Sequence, residues 1–304
     1  MKLNRRGFFK IIGGMGAALA TPVGATYARE LETDASMGCL VDITRCIGCR
    51  QCEVACNAQN KLPHQEFDNL TVPHEPRRPD WKIFTVINRH HDYRIDEQNH
   101  LTHIYVKEQC RHCLKPACAS ACVVGALSKQ KNGPVVYDAK KCIGCRYCMI
   151  ACPFQIPAYE DHNALTPRVR KCTFCSDRID QKKLPACATI CPTQAIVFGR
   201  RDVLLAVAKK RIKENPGKYF NHIYGEHEVG GTSWLYLSPV EFTFFPKLGI
   251  EPPPRLTELI LSGVFGYAAA PTALFAVLGA IGWVNARKRS ADSKILANYE
   301  EDTP

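Results

Sequence analysis

The stretch CIGCRQCEVAC, residues 46–56, places four cysteines at the spacing C-x2-C-x2-C-x3-C. The same spacing, with most of the same residues, returns in CIGCRYCMIAC at residues 142–152. A second pattern follows each of these stretches: a C-x2-C pair and then PACASAC (116–122) or PACATIC (185–191). Because the two patterns alternate along the chain, the sequence indicates an internal duplication.

Seventeen cysteines in 304 residues leave three uses open: disulfides, zinc sites and iron–sulfur clusters. Zinc sites usually combine two separated C-x2-C knuckles, which the tight run of residues 46–56 does not offer. Disulfides between cysteines three residues apart are strained, and no C-x-x-C here is followed by His, as covalent haem would require. The run is instead typical of bacterial ferredoxins, in which three thiolates bind one cubane and the fourth binds another. We therefore expect four [4Fe-4S] clusters.

The spacing also has a conformational reason. Two intervening residues let the backbone curl around one face of a cubane, and Gly48 and Gly144 remove the side chain where that turn is tightest. The three-residue step then begins a short helix that directs the fourth thiolate toward a neighbouring cluster. Pro153 and Pro192 directly follow the last cysteine of their quartets and are expected to end that helix.

The composition is that of a folded protein, with 46% hydrophobic and 23% charged residues. The formal net charge of +11 would favour a nucleic-acid or anionic-membrane partner. However, four oxidised cubanes of charge about −2 each would reduce it to about +3. We therefore expect the positive surplus to serve the cofactors and do not predict a nucleic-acid partner.

The N-terminus has the layout of a twin-arginine export signal, predicted over residues 1–28. Arg5 and Arg6 precede a Phe pair and an apolar stretch rich in Gly and Ala. Cleavage after Ala25 or Ala28 and retention as an anchor both remain open. This route exports proteins that are already folded, so clusters could be inserted in the reducing cytoplasm.

Residues 259–284 carry no charge and are long enough for one transmembrane helix. Pro271 is expected to kink that helix, and a buried core helix is the alternative. Arg287, Lys288 and Arg289 follow at once. The positive-inside rule then places the tail, 285–304, in the cytoplasm and the cluster domain on the periplasmic side of the cytoplasmic membrane.

The quartets, with the segments CRYCMIACPFQIPAY (145–159) and YGEHEVGGTSWLYL (224–237), resemble one family of redox proteins. These are the four-cluster electron-transfer subunits of the dimethyl-sulfoxide-reductase and hydrogenase-2 type. The resemblance covers nearly the whole chain and is greatest to the membrane-anchored iron–sulfur subunit of the high-molecular-weight cytochrome c complex. It implies two ferredoxin-like modules, formed by pairing the first quartet with the fourth and the second with the third.

The resemblance also implies how the sixteen quartet cysteines are shared among the clusters. Four ligand sets result: Cys46, Cys49, Cys52 and Cys191; Cys56, Cys172, Cys175 and Cys187; Cys110, Cys113, Cys118 and Cys152; and Cys122, Cys142, Cys145 and Cys148. Some relatives hold a three-iron cluster where one cysteine is replaced, but this chain shows no such replacement. Cys39 remains over and is expected to be a buried apolar thiol.

The segments around the quartets complete the predicted domain organisation. The double module spans 39–217, and within it the insertion 57–109 is expected to form a hairpin from strands at 81–88 and 102–107. A covering helix is predicted over 201–214 with Asp202 as its cap, and residues 218–258 are expected to form an extended arm. Trp234 and Tyr236 in this arm, with Trp283 in the predicted transmembrane helix, are expected to be interface or membrane-belt aromatics rather than electron relays.

Basic residues beside the ligands would stabilise reduced clusters if their charges face them. They are Arg111, His112, Lys115, Lys171 and Arg178.

The expected fold class is α+β: two ferredoxin-like modules binding four clusters, plus one C-terminal transmembrane helix. No residue set resembles a nucleophile, an acid–base pair or a nucleotide site, so the chain is not expected to be an enzyme by itself. Electrons would pass between a periplasmic redox partner and a polytopic quinone-interacting membrane subunit. The periplasmic partner would be a multihaem cytochrome c, a hydrogenase or a molybdopterin catalytic subunit. The alternative is a disulfide-stapled, membrane-anchored binding module without a redox role.

Overall fold

The computed structural model describes residues 36–63, 70–95, 101–160, 168–252 and 274–287. The predicted export signal, residues 259–273 of the predicted transmembrane helix and residues 288–304 of the predicted tail lie outside the described residues. Residues 274–287 are helical, and their apolar side chains are exposed. Among the described residues, no helix is both long and apolar enough to cross a membrane.

Short helices and strands alternate along the described chain. The strands are β1 (Met37–Asp42), β2 (Thr85–Ile95), β3 (Leu101–Gln109), β4 (Leu127–Lys129), β5 (Val135–Tyr137), β6 (Ala158–Tyr159), β7 (Val169–Arg170), β8 (Ile196–Arg200) and β9 (Trp234–Leu237). The α-helices are α1 (Gln51–Asn60), α2 (Ala117–Ser120), α3 (Tyr147–Ile150), α4 (Ser176–Asp180), α5 (Ala186–Thr189) and α6 (Arg201–Glu214). Among the described residues, single turns of 3-10 helix are present at Ile43–Arg45 and Glu228–Gly230.

The central sheet has the strand order β8-β1-β9. β1 pairs with β8 antiparallel and with β9 parallel, so that Cys39 lies opposite both Phe198 and Trp234. One face of this sheet packs on α6 through Leu40, Leu204 and Leu235. The other face carries Cys39, Val41 and Trp234 into the main core, which contains cysteines of all four quartets.

Three hairpins flank this sheet: β2–β3, β4–β5 and β6–β7. The long β2–β3 hairpin lies within the insertion 57–109, where two strands are predicted from the sequence, and it packs Ile87, Ile104 and Val106 into the main core. A smaller core, built around Cys118, Leu127 and Cys148, joins the hairpins β4–β5 and β6–β7. The described residues thus contain mixed helix and strand around two groups of cysteines.

Two local expectations differ from the structure. Helix α6 has the predicted bounds, but its N-cap is Arg200, and Asp202 lies in the first turn, where it forms an ion pair with the Arg200 side chain at 2.6 Å. The segment 218–258 is not a detached arm, because its residues 234–237 form strand β9 and are completely buried. Trp234 and Tyr236 are accordingly core residues, with 1% and 0% of their surface exposed.

Candidate iron–sulfur cluster sites

The backbone of the C-x2-C-x2-C turn is the same in both copies. Gly48 and Gly144 have φ values of 71° and 72°, and Arg50 and Arg146 have φ values of 56° and 63°. Left-handed backbone of this kind favours glycine. At Gly48 a Cβ atom would lie 2.6 Å from the ring of Tyr105, so this position also requires glycine for space.

The third and fourth quartets end alike. Gln155 and Gln194, three residues after the last cysteine of their quartets, have φ values of 51° and 50°. Their N–H groups donate to the carbonyls of Cys152 and Cys191 at 2.9 and 3.2 Å. The chain therefore leaves the last cysteine in a tight turn rather than in a continued helix, as the prolines at 153 and 192 require.

The quartets come together in the crosswise manner that the resemblance implies. One cavity, site 1, is lined by Cys46, Cys49, Cys52 and Cys191. A second, site 2, is lined by Cys56, Cys172, Cys175 and Cys187. A third, site 4, is lined by Cys122, Cys142, Cys145 and Cys148. Sites 1 and 2 thus combine cysteines of the first and fourth quartets, which are distant in the sequence. Site 4 combines cysteines of the second and third quartets, which are adjacent in the sequence.

The remaining four cysteines form site 3. Burial raises the pKa of Cys113 well above its usual range, and its neighbouring thiolates, Cys110, Cys118 and Cys152, add to this effect. These are the four residues that the resemblance groups together. That the cysteines of each site bind a cluster stays a prediction here.

The chemistry of the four sites fits clusters better than free thiols. Burial raises the pKa values of Cys46 and Cys148 to about 11 and those of Cys118 and Cys172 to about 12, and neighbouring thiolates contribute to each shift. Several thiolates in one buried space are unfavourable unless a positive centre compensates them. Iron supplies that charge, and a cubane takes four thiolate ligands.

All seventeen cysteines are free in the structure. Within the described ranges, no group of three or more His, Cys, Asp or Glu side chains is arranged to hold a single metal ion.

The sites adjoin one another in numerical order. Lys107 lies in the wall of both site 1 and site 2. After burial itself, the largest effect that raises the pKa of Cys172 in site 2 comes from Cys110 in site 3. The pKa of Cys118 in site 3 is in turn raised by Cys148 in site 4. The cysteine groups therefore form a row through the molecule.

Lys107 is a functional candidate that sequence reasoning missed. It is 2% exposed on β3, opposite Ile87, and its Nζ donates to Thr85 Oγ1 and to Gln109 Oε1. Burial alone lowers its pKa, but neighbouring thiolates, chiefly Cys187 and Cys52, outweigh burial and hold the pKa above its usual range. A lysine within a strand carries no sequence signal of burial, because its surroundings depend on residues far away in the chain.

The basic residues predicted to stabilise reduced clusters divide into two groups. Arg111, His112 and Lys171 are buried, whereas Lys115 is exposed and Arg178 is half-buried. His112 does not supply the expected charge, because burial lowers its pKa well below the usual range and its Nδ1 accepts the Val135 N–H at 2.9 Å.

A buried ion-pair cluster attaches the insertion to the first quartet. Glu53, beside the ligand candidate Cys52, has no exposed surface and contacts Arg50 at 3.0 Å and Arg77 at 2.6 Å. It also accepts the Ile87 N–H at 2.7 Å. This carboxylate thus joins helix α1 to the hairpin β2–β3, which carries Lys107.

Comparison with known proteins agrees with the geometry. A family model described as "4Fe-4S dicluster domain" matches residues 101–201. A protein of Nitratidesulfovibrio vulgaris strain Hildenborough is 45% identical over 273 residues, which cover 86% of this chain and 72% of that protein. Two further relatives have informative names.

The hydrogenase-2 operon protein HybA of Escherichia coli O157:H7 is 36% identical over 286 residues, covering 81% of this chain and 84% of HybA. The formate dehydrogenase-O iron-sulfur subunit of Escherichia coli K12 is 34% identical over 241 residues, covering 78% and 77%. These relatives cover most of both chains, and the dicluster match includes cysteines of three quartets. The chain therefore belongs to the family of iron–sulfur electron-transfer subunits that includes HybA and the iron–sulfur subunit of formate dehydrogenase-O.

Proposed function

We propose that the chain conducts electrons through four [4Fe-4S] clusters, between a periplasmic redox partner and a quinone-reactive membrane subunit. Each bound cluster accepts and releases one electron at a time. The observation that supports this proposal is the row of four cysteine groups, sites 1 to 4, in which each group adjoins the next. The sixteen quartet cysteines are the proposed ligands, in the four sets that line these sites.

The two ends of the row reach the surface, which a conductor between two partners requires. At site 1, Ile47 is 59% exposed. At site 4, Cys145 is exposed, and Ile143 and Ile150 are 61% and 82% exposed. Exposed apolar side chains beside the terminal sites favour protein docking there, because such patches commonly mark interaction surfaces.

The partners are proposed from the relatives and from the resemblance. One relative, HybA, is named as a protein of the hydrogenase-2 operon, and another is named as the iron–sulfur subunit of formate dehydrogenase-O. A hydrogenase or a molybdopterin catalytic subunit is therefore one candidate for the periplasmic partner. The resemblance to the subunit of the high-molecular-weight cytochrome c complex adds a multihaem cytochrome c.

The proposed location is the periplasmic face of the cytoplasmic membrane. The sequence of residues 1–28 supports twin-arginine export, and residues 259–284 support a single anchoring helix with the C-terminus in the cytoplasm. Of that helix the structure describes only residues from 274 onward, where Phe275 and Trp283 are 74% and 52% exposed. Apolar side chains exposed on a helix in this way suit contact with lipid or with another membrane helix.

Metal and sulfide analysis of the intact protein tests the cluster assignment. We expect about sixteen iron atoms and as many labile sulfides per chain, a brown colour that dithionite bleaches, and no oxidised three-iron EPR signal. A colourless, iron-free protein with its thiols joined as disulfides would overturn the proposal in favour of a stapled binding module.

Purification in mild detergent tests the partners. A complex that contains a cytochrome or a catalytic subunit together with a multispanning membrane protein is the expected result. Recovery of a lone monomer, with clusters but without companions, would contradict the proposed ends of the path while leaving the clusters in place.

A further inference from the structure

The walls of sites 1 and 2 share a single side chain among the residues described, that of Lys107. Strand β3 brings it there from the insertion 57–109, which separates the first and second quartets in the sequence. The side chain is 2% exposed. A lysine is rarely buried this completely unless something compensates its charge.

The protein itself provides Lys107 with neutral partners. Its Nζ donates to the Thr85 hydroxyl and to the Gln109 amide oxygen, the latter at 2.9 Å, and lies 4.7 Å from the centre of the Trp234 ring. In the part of the chain that the structure describes, no carboxylate forms an ion pair with this ammonium. Its surroundings contrast with those of Glu53, a buried charge in the same region that two arginines neutralise.

The position of the ammonium is fixed by a ring of hydrogen bonds. Gln109, which accepts from Lys107, donates its own amide N–H to the Tyr236 hydroxyl at 2.6 Å. The Tyr236 hydroxyl donates back to the carbonyl of Lys107 at 3.2 Å. Because these partners are all buried, the charge cannot move out toward solvent as a surface lysine would.

We propose that Lys107 is an electrostatic bridge between sites 1 and 2, where its positive charge compensates both clusters and raises the reduction potential of each. This inference rests on the proposed function, since it requires clusters at both sites. Reduction adds one negative charge to a cluster, and a fixed positive charge nearby in a region of low dielectric constant favours that state.

The test is an EPR-monitored redox titration of the intact chain with its clusters, in three variants. Lys107→Met removes the charge and keeps the length, Lys107→Arg keeps the charge, and Lys129→Met is the matched control. Lys129 is another inward-facing lysine, but it contacts the His112 carbonyl and Ser233 beside site 3. The titration measures potentials, which a merely structural role would leave unchanged in a variant with a full iron content.

In Lys107→Met we expect the ratio of reduced to oxidised cluster, for two of the four clusters, to fall at least tenfold at a fixed potential, a shift of at least about 59 mV for a one-electron couple. The other two clusters should keep their potentials, Lys107→Arg should restore the wild-type values, and Lys129→Met should leave the same two clusters unshifted. Unchanged potentials in Lys107→Met, or an equal shift of all four clusters, would overturn the proposal.

Loss of iron from Lys107→Met would still be decisive through the arginine variant. If Lys107→Arg retains its iron and its potentials, the charge is what the two clusters require. If Lys107→Arg loses as much iron as Lys107→Met, the shape of the side chain rather than its charge determines whether iron is retained, and the electrostatic bridge is refuted. The wild-type protein tests the proposed function separately: an iron content below four clusters refutes that function, whereas full iron with unshifted variants refutes only the bridge.

Discussion

At the scale of single residues, the cysteines differ in their surroundings: some line a cavity, whereas Cys39 is packed within the central sheet. Cys39 lies in β1 between Phe198 and Trp234 and lines none of the described cavities. Cys175 lies in the wall of site 2, where burial raises its pKa and Cys187 is a near neighbour. Both are buried thiols, so burial alone does not mark a ligand.

Substitution of these two cysteines should therefore have different effects on iron content. Cys175→Ser should lower the iron content by one to four atoms per chain, as expected for conversion or loss of one cubane of four iron atoms, because an alcohol is a poor ligand for iron. Cys39→Ala should leave iron and labile sulfide unchanged. Metal analysis measures both, and equal losses in the two variants would contradict the assignment of ligands to site 2.

A second prediction at this scale concerns Glu53. Glu53→Gln removes the negative charge from the buried ion pairs that Glu53 forms with Arg50 and Arg77. Breaking buried ion pairs of this kind lowers the free energy of unfolding by about 3–5 kcal/mol. The urea concentration at half-loss of the visible cluster absorbance should fall accordingly. The matched control is Glu214→Gln, which removes an exposed partner of Lys210 and should change stability by less than about 0.5 kcal/mol. Equal urea midpoints for the two variants would show that the buried ion pairs of Glu53 do not stabilise the fold.

At the scale of elements, the turn around site 1 depends on glycine for two separable reasons. Gly48 has a left-handed backbone and also lies against the Tyr105 ring, whereas Gly125, with a φ of 64°, has open space around its Cα. Gly125→Ala therefore tests the backbone alone, and Gly48→Ala tests backbone and contact together.

We expect Gly125→Ala to reduce stability by about 1–2 kcal/mol, the usual cost of a left-handed conformation for an L-residue. Gly48→Ala should cost more, because the ring of Tyr105 must also move, and it should perturb the EPR signal of the site 1 cluster. Denaturant titration followed by cluster absorbance measures the first effect and EPR the second. A Gly48→Ala protein as stable as Gly125→Ala would mean that Tyr105 moves aside without loss.

The elements that the sequence predicts well are those whose signals are local. The bounds of helix α6, the hairpin within 57–109 and the tight turns at Gly48 and Gly144 all follow from spacing and turn chemistry over a few residues. The cap at Asp202 was wrong because the side chain pairs with Arg200 instead. A helix cap and an ion pair with Arg200 are both local interactions, and the sequence does not show which of the two Asp202 forms.

The features that the sequence does not predict depend on distant contacts. Strand β9 pairs with β1 across almost 200 residues of chain, and this pairing makes Trp234 and Tyr236 core residues rather than interface aromatics. Lys107 becomes a site residue because β3 is placed between two cysteine cavities. The grouping of the quartets was predicted only through the resemblance, since spacing alone leaves several pairings open.

At the scale of the whole molecule, the duplication explains how one short chain provides four sites in a row. Each C-x2-C-x2-C-x3-C run ends in a cysteine that belongs to a different site from its first three: Cys56 lies in site 2, and Cys152 lies in site 3. Each module therefore joins two adjoining sites, and the neighbouring pair Cys172 and Cys110 joins the modules. Electron conduction needs this continuity, which a set of isolated sites would lack.

The proposed anchoring of this row to a membrane leads to the last prediction. The cysteine sites lie within residues 36–252, and residues 274–287 form a helix with exposed apolar side chains. If that helix belongs to the anchor proposed for 259–284, a chain ending at residue 258 should be exported with its clusters and recovered from the soluble periplasmic fraction. The intact chain should sediment with membranes and dissolve only in detergent.

A variant with both Arg5 and Arg6 changed to Lys is the control for export, because the twin-arginine pair is the expected recognition element. It should retain the clusters but remain on the cytoplasmic side, where added protease cannot reach it in intact spheroplasts. The shortened chain differs from the intact chain in membrane attachment alone. A brown, shortened chain that still sediments with membranes would show that attachment comes from the cluster domain or its partners, because the row of sites would then be held at the membrane without its own helix.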